Sequence, residues 1–283
     1  MTTPPLHRVP YIFLAIATLA LATSLLDGCA GQAASSVSSP LATTSYADLA
    51  GNWQFTSAAN VKLTSVGGAL TVSGSKVTGM LHAQVGACVV STAAEPFAVS
   101  GEVSPAGVLT LTSQNFAGGT FQLTGTVAAN QRSLQNPAYT VTGGSCSSPS
   151  SALAHLEPQD TITIAQQYQP ISGTYTGNFS DADGVVMAVS AQLQQSSAPD
   201  TNGYYHLSGT ATFANNPCLN APVVTDSVIN GATITATYTD NSTGNSITGS
   251  GTFDSTATTL TVTNWSLTGA AMCADSGTGS IAK

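Results

Sequence analysis

Three histidines outside the N-terminal stretch, His82, His155 and His206, are the side chains best placed by type to move protons near neutral pH. A surface position is expected for each, and His206 falls on a Thr-rich strand face. The chain contains neither HExxH nor G-x-S-x-G, so zinc-protease and serine-hydrolase chemistry have no scaffold here. Cations are as scarce: beyond the N-terminal stretch they are Lys62, Lys76, Arg132 and Lys283. Five Lys and Arg stand against 13 Asp and Glu, a formal charge of −8, and only 6% of residues are charged. Nothing in this composition could neutralise a run of phosphates, which excludes nucleic-acid partners. So few titratable groups make catalysis the least expected role, with no cofactor and no metal.

Two carboxylate motifs have a simpler explanation. Asp275-Ser276-Gly277-Thr278 matches the Asp-Ser/Thr-Gly motif of aspartic proteases, but that chemistry needs two carboxylates sharing a proton and there is no second copy. A turn into a final strand is expected. Asp181-Ala182-Asp183-Gly184 resembles half of a calcium loop, yet the position that should carry Glu is Gln192, so a hairpin turn is expected.

The cysteines are Cys29, Cys88, Cys146, Cys218 and Cys273, an odd number. Tyr11 to Leu26 is an uninterrupted apolar and small-residue run behind Arg8, as in the h-region of a secretory signal. As a helix it would extend about 24 Å, short of the hydrocarbon core of a bilayer. Leu26-Asp27-Gly28-Cys29 resembles a bacterial lipobox. The resemblance implies cleavage before Cys29 and diacylglycerol on its sulfur. Ala30 at the next position then implies the outer membrane by Gram-negative sorting rules. Signal cleavage near Gly31-Gln32-Ala33 is the alternative, leading to a periplasmic or secreted protein. Lipidation of Cys29 leaves four cysteines to pair in an oxidising compartment.

The rest of the chain reads as two copies of one module. Gly51-Asn52-Trp53 recurs as Gly173-Thr174-Tyr175, Val77-Thr78-Gly79 as Leu207-Ser208-Gly209, and Tyr139-Thr140-Val141-Thr142-Gly143 as Trp265-Ser266-Leu267-Thr268-Gly269. Leu123-Thr124-Gly125-Thr126 aligns with Ile247-Thr248-Gly249-Ser250, a displacement of 124. Cys88 and Cys146 match Cys218 and Cys273, so the simplest connectivity is one bridge per module, Cys88–Cys146 and Cys218–Cys273. Within the copies apolar residues alternate with Thr and Ser, as in Tyr205, Leu207, Gly209, Ala211 and Phe213, the period of antiparallel strands with one buried face. The fold class is therefore all-β: two tandem antiparallel meanders of about eight strands each, small barrels or sandwiches. The organisation is 1–28 signal peptide, 29–47 tether, 48–166 first module and 171–283 second module.

Each module opens on a Gly-x-aromatic strand, and at Gly51-Asn52-Trp53 the sequence resembles lipocalin and avidin-type barrels. That resemblance implies a barrel with a small ligand inside; the C-terminal arginine that packs on the Trp in lipocalins has no counterpart here. Trp53 aligns with Tyr175 and Tyr139 with Trp265, so each module holds one Trp and one Tyr in exchanged positions. This preserved aromatic volume suits core packing, with a ligand-cavity lining as the alternative. The expected role is a non-catalytic, lipid-anchored envelope protein that binds a small apolar ligand or an envelope partner. A structural or adhesive protein presenting its hydroxyl faces to glycan or neighbouring proteins is the alternative.

Overall fold

Alternation of apolar and hydroxyl residues is carried through to sixteen strands among the described residues. The computed structural model describes residues 44–57, 63, 65–84, 96–116, 118–143, 160–214, 216–220 and 222–283. The signal and lipobox residues with Cys29, His155, and the expected Cys88–Cys146 bridge lie outside the described residues. The first eight strands are β1 (Gly51–Ser57), β2 (Ser65–Ser73), β3 (Lys76–Gln84), β4 (Pro96–Val103), β5 (Val108–Phe116), β6 (Gly119–Val127), β7 (Leu134–Gly143) and β8 (Asp160–Tyr168). The second eight are β9 (Ser172–Asp181), β10 (Val186–Gln195), β11 (Tyr205–Phe213), β12 (Val223–Asn230), β13 (Thr233–Thr239), β14 (Ser246–Phe253), β15 (Thr259–Thr268) and β16 (Asp275–Ala282). Each set pairs in sequence order and closes on itself, β1 with β8 and β9 with β16, so the modules are two up-and-down barrels rather than sandwiches.

Strand pairing corrects one part of the repeat alignment. Leu123 pairs with both Leu111 and Tyr139, and the residue in the same relation to Ala236 and Trp265 is Gly249, not Ile247. The displacement here is therefore 126, equal to that of Tyr139 and Trp265. The Thr-Gly-Ser-Gly-Thr run of β14 repeats every two residues, so sequence alone accepts either register. A register shift in β15 between Val262 and Trp265 matches the skipped alternation legible around Asn264.

The first barrel is filled with aromatic side chains. Phe97 packs edge-on against Phe116 and Phe121 at 4.8 and 5.3 Å between centroids, and Phe121 stacks on Tyr139 at 6.1 Å. Leu63, from the segment between β1 and β2, is buried in the same core, and its backbone N–H donates to the Tyr139 hydroxyl at 2.8 Å.

The barrels meet through side chains that point outward from the first. Asn52 on β1 donates its amide to the Gly231 carbonyl and accepts from the Gly231 N–H, both at 2.7 Å. Gln54, two residues on, accepts from the Ala232 N–H at 3.0 Å. Gly231 turns between β12 and β13 with φ of +58°, and a Cβ there would collide with the Gln54 carboxamide, so glycine is needed for both the turn and the approach. The histidine expectation is corrected at His82. It occupies an outward position on β3 yet is wholly buried, because the loop before β11 covers it. Its Nε2–H donates to the Asn202 carbonyl at 2.6 Å, and its ring lies 4.2 Å from that of Tyr204. His206 is exposed as expected, paired with Asp200 at 3.1 Å.

Asn52→Ala orphans both backbone groups of Gly231 in a buried seam. It is expected to cost about 2 kcal/mol of stability in urea titration, whereas Thr71→Ala on the exposed face of β2 should cost under about 0.5 kcal/mol.

Candidate functional site

One end of the second barrel is built with unusual care for so uncharged a chain. Cys218, after β11, is bridged to Cys273, before β16, across 55 residues. Asn245 spans the same loops: its amide donates to the Cys218 carbonyl at 2.8 Å and its oxygen accepts from the Ala270 N–H at 3.2 Å. Asp240, also buried, accepts from the Ser242 N–H at 2.8 Å and from the backbone of Asn220. The loops at this end are thus fixed by one covalent link and two buried polar side chains. Neither Asp240 nor Asn245 was singled out by sequence reasoning. Their only signal is an Asp-x-x-x-x-Asn spacing in a turn, which surface turns share.

Below these loops lies a cavity of about 40 Å³, lined almost wholly by apolar groups. That is space for a few waters, in surroundings that offer them few partners. Its origin is read by matching strand pairings between the barrels. Leu81, Leu111 and Leu123 of the first barrel correspond to Ala211, Ala236 and Gly249 of the second, and all three small residues line the void. On three alternate strands, β9, β11 and β13, an aromatic follows two residues on from a small residue: Phe179 from Gly177, Phe213 from Ala211 and Tyr238 from Ala236. Phe179 stacks on Trp265 at 6.0 Å and meets Phe213 at 6.1 Å, and Phe213 meets Tyr238 edge-on at 6.2 Å. Burial pushes the Tyr238 hydroxyl well above its ordinary pKa, so it remains a neutral phenol, without a hydrogen-bond partner among the described residues.

Trp265 also borders a second, wider recess of about 370 Å³ at the disulfide end. Its lining includes Met187, Leu267, Met272 and the bridged cysteines, with Asp181, Asp183 and Asp275 at its edge. Val185, Val186 and Met272, three of the four large apolar residues exposed among those described, lie on this rim, at 64, 56 and 92% exposure. The recess therefore has an apolar lip, and an aromatic layer separates it from the void. The carboxylate motifs here serve local structure: the Asp181 carboxylate accepts from the Asp183 and Val185 N–H groups in the β9–β10 turn, and Asp275 opens β16. No group of three or more His, Cys, Asp or Glu able to hold a metal ion occurs among the described residues.

The four aromatics proposed from sequence are all interior but are not brought together. Trp53 donates to the Leu49 carbonyl at 2.7 Å, the Tyr139 hydroxyl pairs with Leu63, and the Tyr175 hydroxyl donates to the Ala257 carbonyl at 2.7 Å. Burial pushes the Tyr175 hydroxyl up to about 12, so it stays a donor throughout the physiological range. Each of these three is tied to its own barrel's backbone, as core packing requires. Trp265, whose Nε1–H donates to the Thr278 carbonyl at 3.2 Å, is the one of the four that borders the cavity.

Fold and site define a tandem pair of closed eight-stranded barrels, the first packed with aromatics and the second hollow beneath an aromatic layer. The chain matches no protein-family model, no curated protein and no solved structure.

Ala236→Leu places in the second barrel the side chain that the first barrel carries at Leu111. It is expected to raise stability by about 1 kcal/mol in urea denaturation, because it fills space that already exists. A loss would show that the void is a shape the surrounding strands cannot give up.

Proposed function

We propose that this chain is an exported, lipid-anchored envelope protein without catalytic activity, whose second barrel takes up a small apolar ligand at its disulfide-closed end. The observation that carries this reading is the difference between the two copies. The same frame is filled in one barrel, while in the other three leucine positions are small and the void they leave lies next to an apolar-lipped recess. Ligand sites in small barrels are concave, mostly apolar and set at the mouth. On this reading the ligand enters past Trp265 and its end reaches the void, where Tyr238 and Ser250 are the polar side chains of the lining. The lipocalin-like start at Gly51-Asn52-Trp53 fits a barrel that binds internally, although the ligand site lies in the other copy.

The alternative, an adhesive surface of hydroxyl ladders, has less support. The outward threonines satisfy one another, as in Thr71 with Thr78 at 2.8 Å and Thr237 with Thr248 at 3.1 Å, which leaves less capacity for glycan.

Thermal shifts with n-alcohols of increasing chain length test the ligand reading. Binding to the native state raises the midpoint, by a linkage of about 2.7 kcal/mol at a hundredfold excess over Kd. The expected result is a rise that grows with chain length and vanishes in Ala236→Leu. No rise at any length, or an equal rise in the variant, would overturn it. Mass spectrometry of the mature N-terminus tests the anchor: diacylglycerol on Cys29 is expected, and an unmodified Cys29 or a start at Ala34 would refute it.

A further inference from the structure

A third recess, of about 590 Å³, lies where the two barrels join, between the start of β1, the β8–β9 linker and the end of β10. Its chemistry is unlike that of the barrel interior. Two side chains on its wall are more than nine-tenths buried yet keep a free hydrogen-bonding group. Gln195 is 7% exposed; its Oε1 accepts from the Ile171 N–H at 3.1 Å, while its Nε2 has no partner among the described residues. Tyr205 is 6% exposed, and its hydroxyl has no partner among the described residues either. Neither atom is among the buried groups sealed from solvent without a partner, so both open onto the recess they line. Burial raises the pKa of the Tyr205 hydroxyl, which keeps it protonated and able to donate.

Arg132, from the first barrel, also lines the recess. It is exposed, and its guanidinium has neither a hydrogen bond nor an ion pair among the described residues. In a chain of formal charge −8 this is a conspicuous place for an unpaired cation. An amide, a phenol and a guanidinium all donate, so the recess asks for a ligand rich in acceptor oxygens. A guanidinium matches a carboxylate in two parallel hydrogen bonds. Asp48 also lines the recess and can accept from hydroxyls, and Pro170, Tyr168 and Pro199 add apolar surface to the lining. A pyranose ring carries both kinds of surface, and 590 Å³ falls within the range of small-molecule sites, about 300–1,000 Å³.

We propose that the inter-barrel recess binds an acidic saccharide, its carboxylate on Arg132 and its ring oxygens on Gln195 and Tyr205. This site is separate from the apolar one in the second barrel and stands or falls without it.

Calorimetric titration of the full chain at low ionic strength tests it, with galacturonic acid disaccharide and N-acetylneuraminic acid as probes and galactose disaccharide as the neutral control. The acidic probes are expected to bind about tenfold more tightly than the neutral one, through the charge-assisted pair. Added salt should weaken the acidic probes alone. Arg132→Gln should abolish the difference between acidic and neutral sugars. Tyr205→Phe should weaken the acidic and neutral sugars alike, by roughly fivefold for one lost hydrogen bond, with the thermal midpoint unchanged because that hydroxyl has no structural partner. Failure of both acidic probes to bind at millimolar concentration would overturn the proposal, as would equal binding of acidic and neutral sugars.

Discussion

Closure of each sheet on itself is the constraint on which everything else rests. An open sheet must guard its edge strands, and proteins usually do so with lysines, prolines or inward charges. A chain with 6% charged residues has little of this protection to deploy. Joining β1 to β8 and β9 to β16 removes the edges and pairs the backbone around the full circumference. The outer face can then be made of Thr and Ser, 40 and 34 of them in the chain, which are good strand residues and need no counter-ion. Their hydroxyls pair across neighbouring strands, as Thr225 does with Thr239 at 3.0 Å. The low charge that first marks this sequence is thus affordable only in a sheet without ends.

Once a barrel is closed its circumference is set, and the volume inside must be filled by the inward side chains of eight strands. The two copies solve this differently within one frame. The first places leucines at 81, 111 and 123 and groups Phe97, Phe116 and Phe121 together. The second reduces the three leucine positions to Ala211, Ala236 and Gly249 and enlarges their neighbours, with Phe213 where the first barrel has Ala83 and Tyr238 where it has Ser113. Bulk has moved along the axis toward the disulfide end. A void beneath and an aromatic layer above are two results of the same redistribution.

Much of this was legible beforehand, because it depends on period and repetition. The alternation along β11 and the break near Asn264 follow from local residue order, and the Cys218–Cys273 bridge follows from matching the copies. What could not be read depends on which outward faces meet. His82 sits on a strand face that alternation marks as solvent-exposed, and only docking of the second barrel buries it. Asn52 and Gln54 look like ordinary polar positions in a strand until Gly231 is brought against them. The cavity needed the strand register as well: under the sequence alignment Gly249 falls opposite Gly125, and its correspondence to Leu123, the sign of an emptied interior, disappears. Gln195 and Tyr205 escaped notice for a related reason, since burial with one free donor is a property of a completed junction.

The Asn52 and Gln54 socket is present in one copy only. Its counterparts on β9 are Thr174 and Thr176, both exposed and too short to reach a neighbouring turn as the amides do. A repeat that can receive a successor would carry the socket in every copy, and the series could lengthen by further duplication. Here the amide socket belongs to the first barrel and the turn that fills it to the second. The junction is therefore asymmetric, and it gives the pair a direction, with a receiving member and an inserted one.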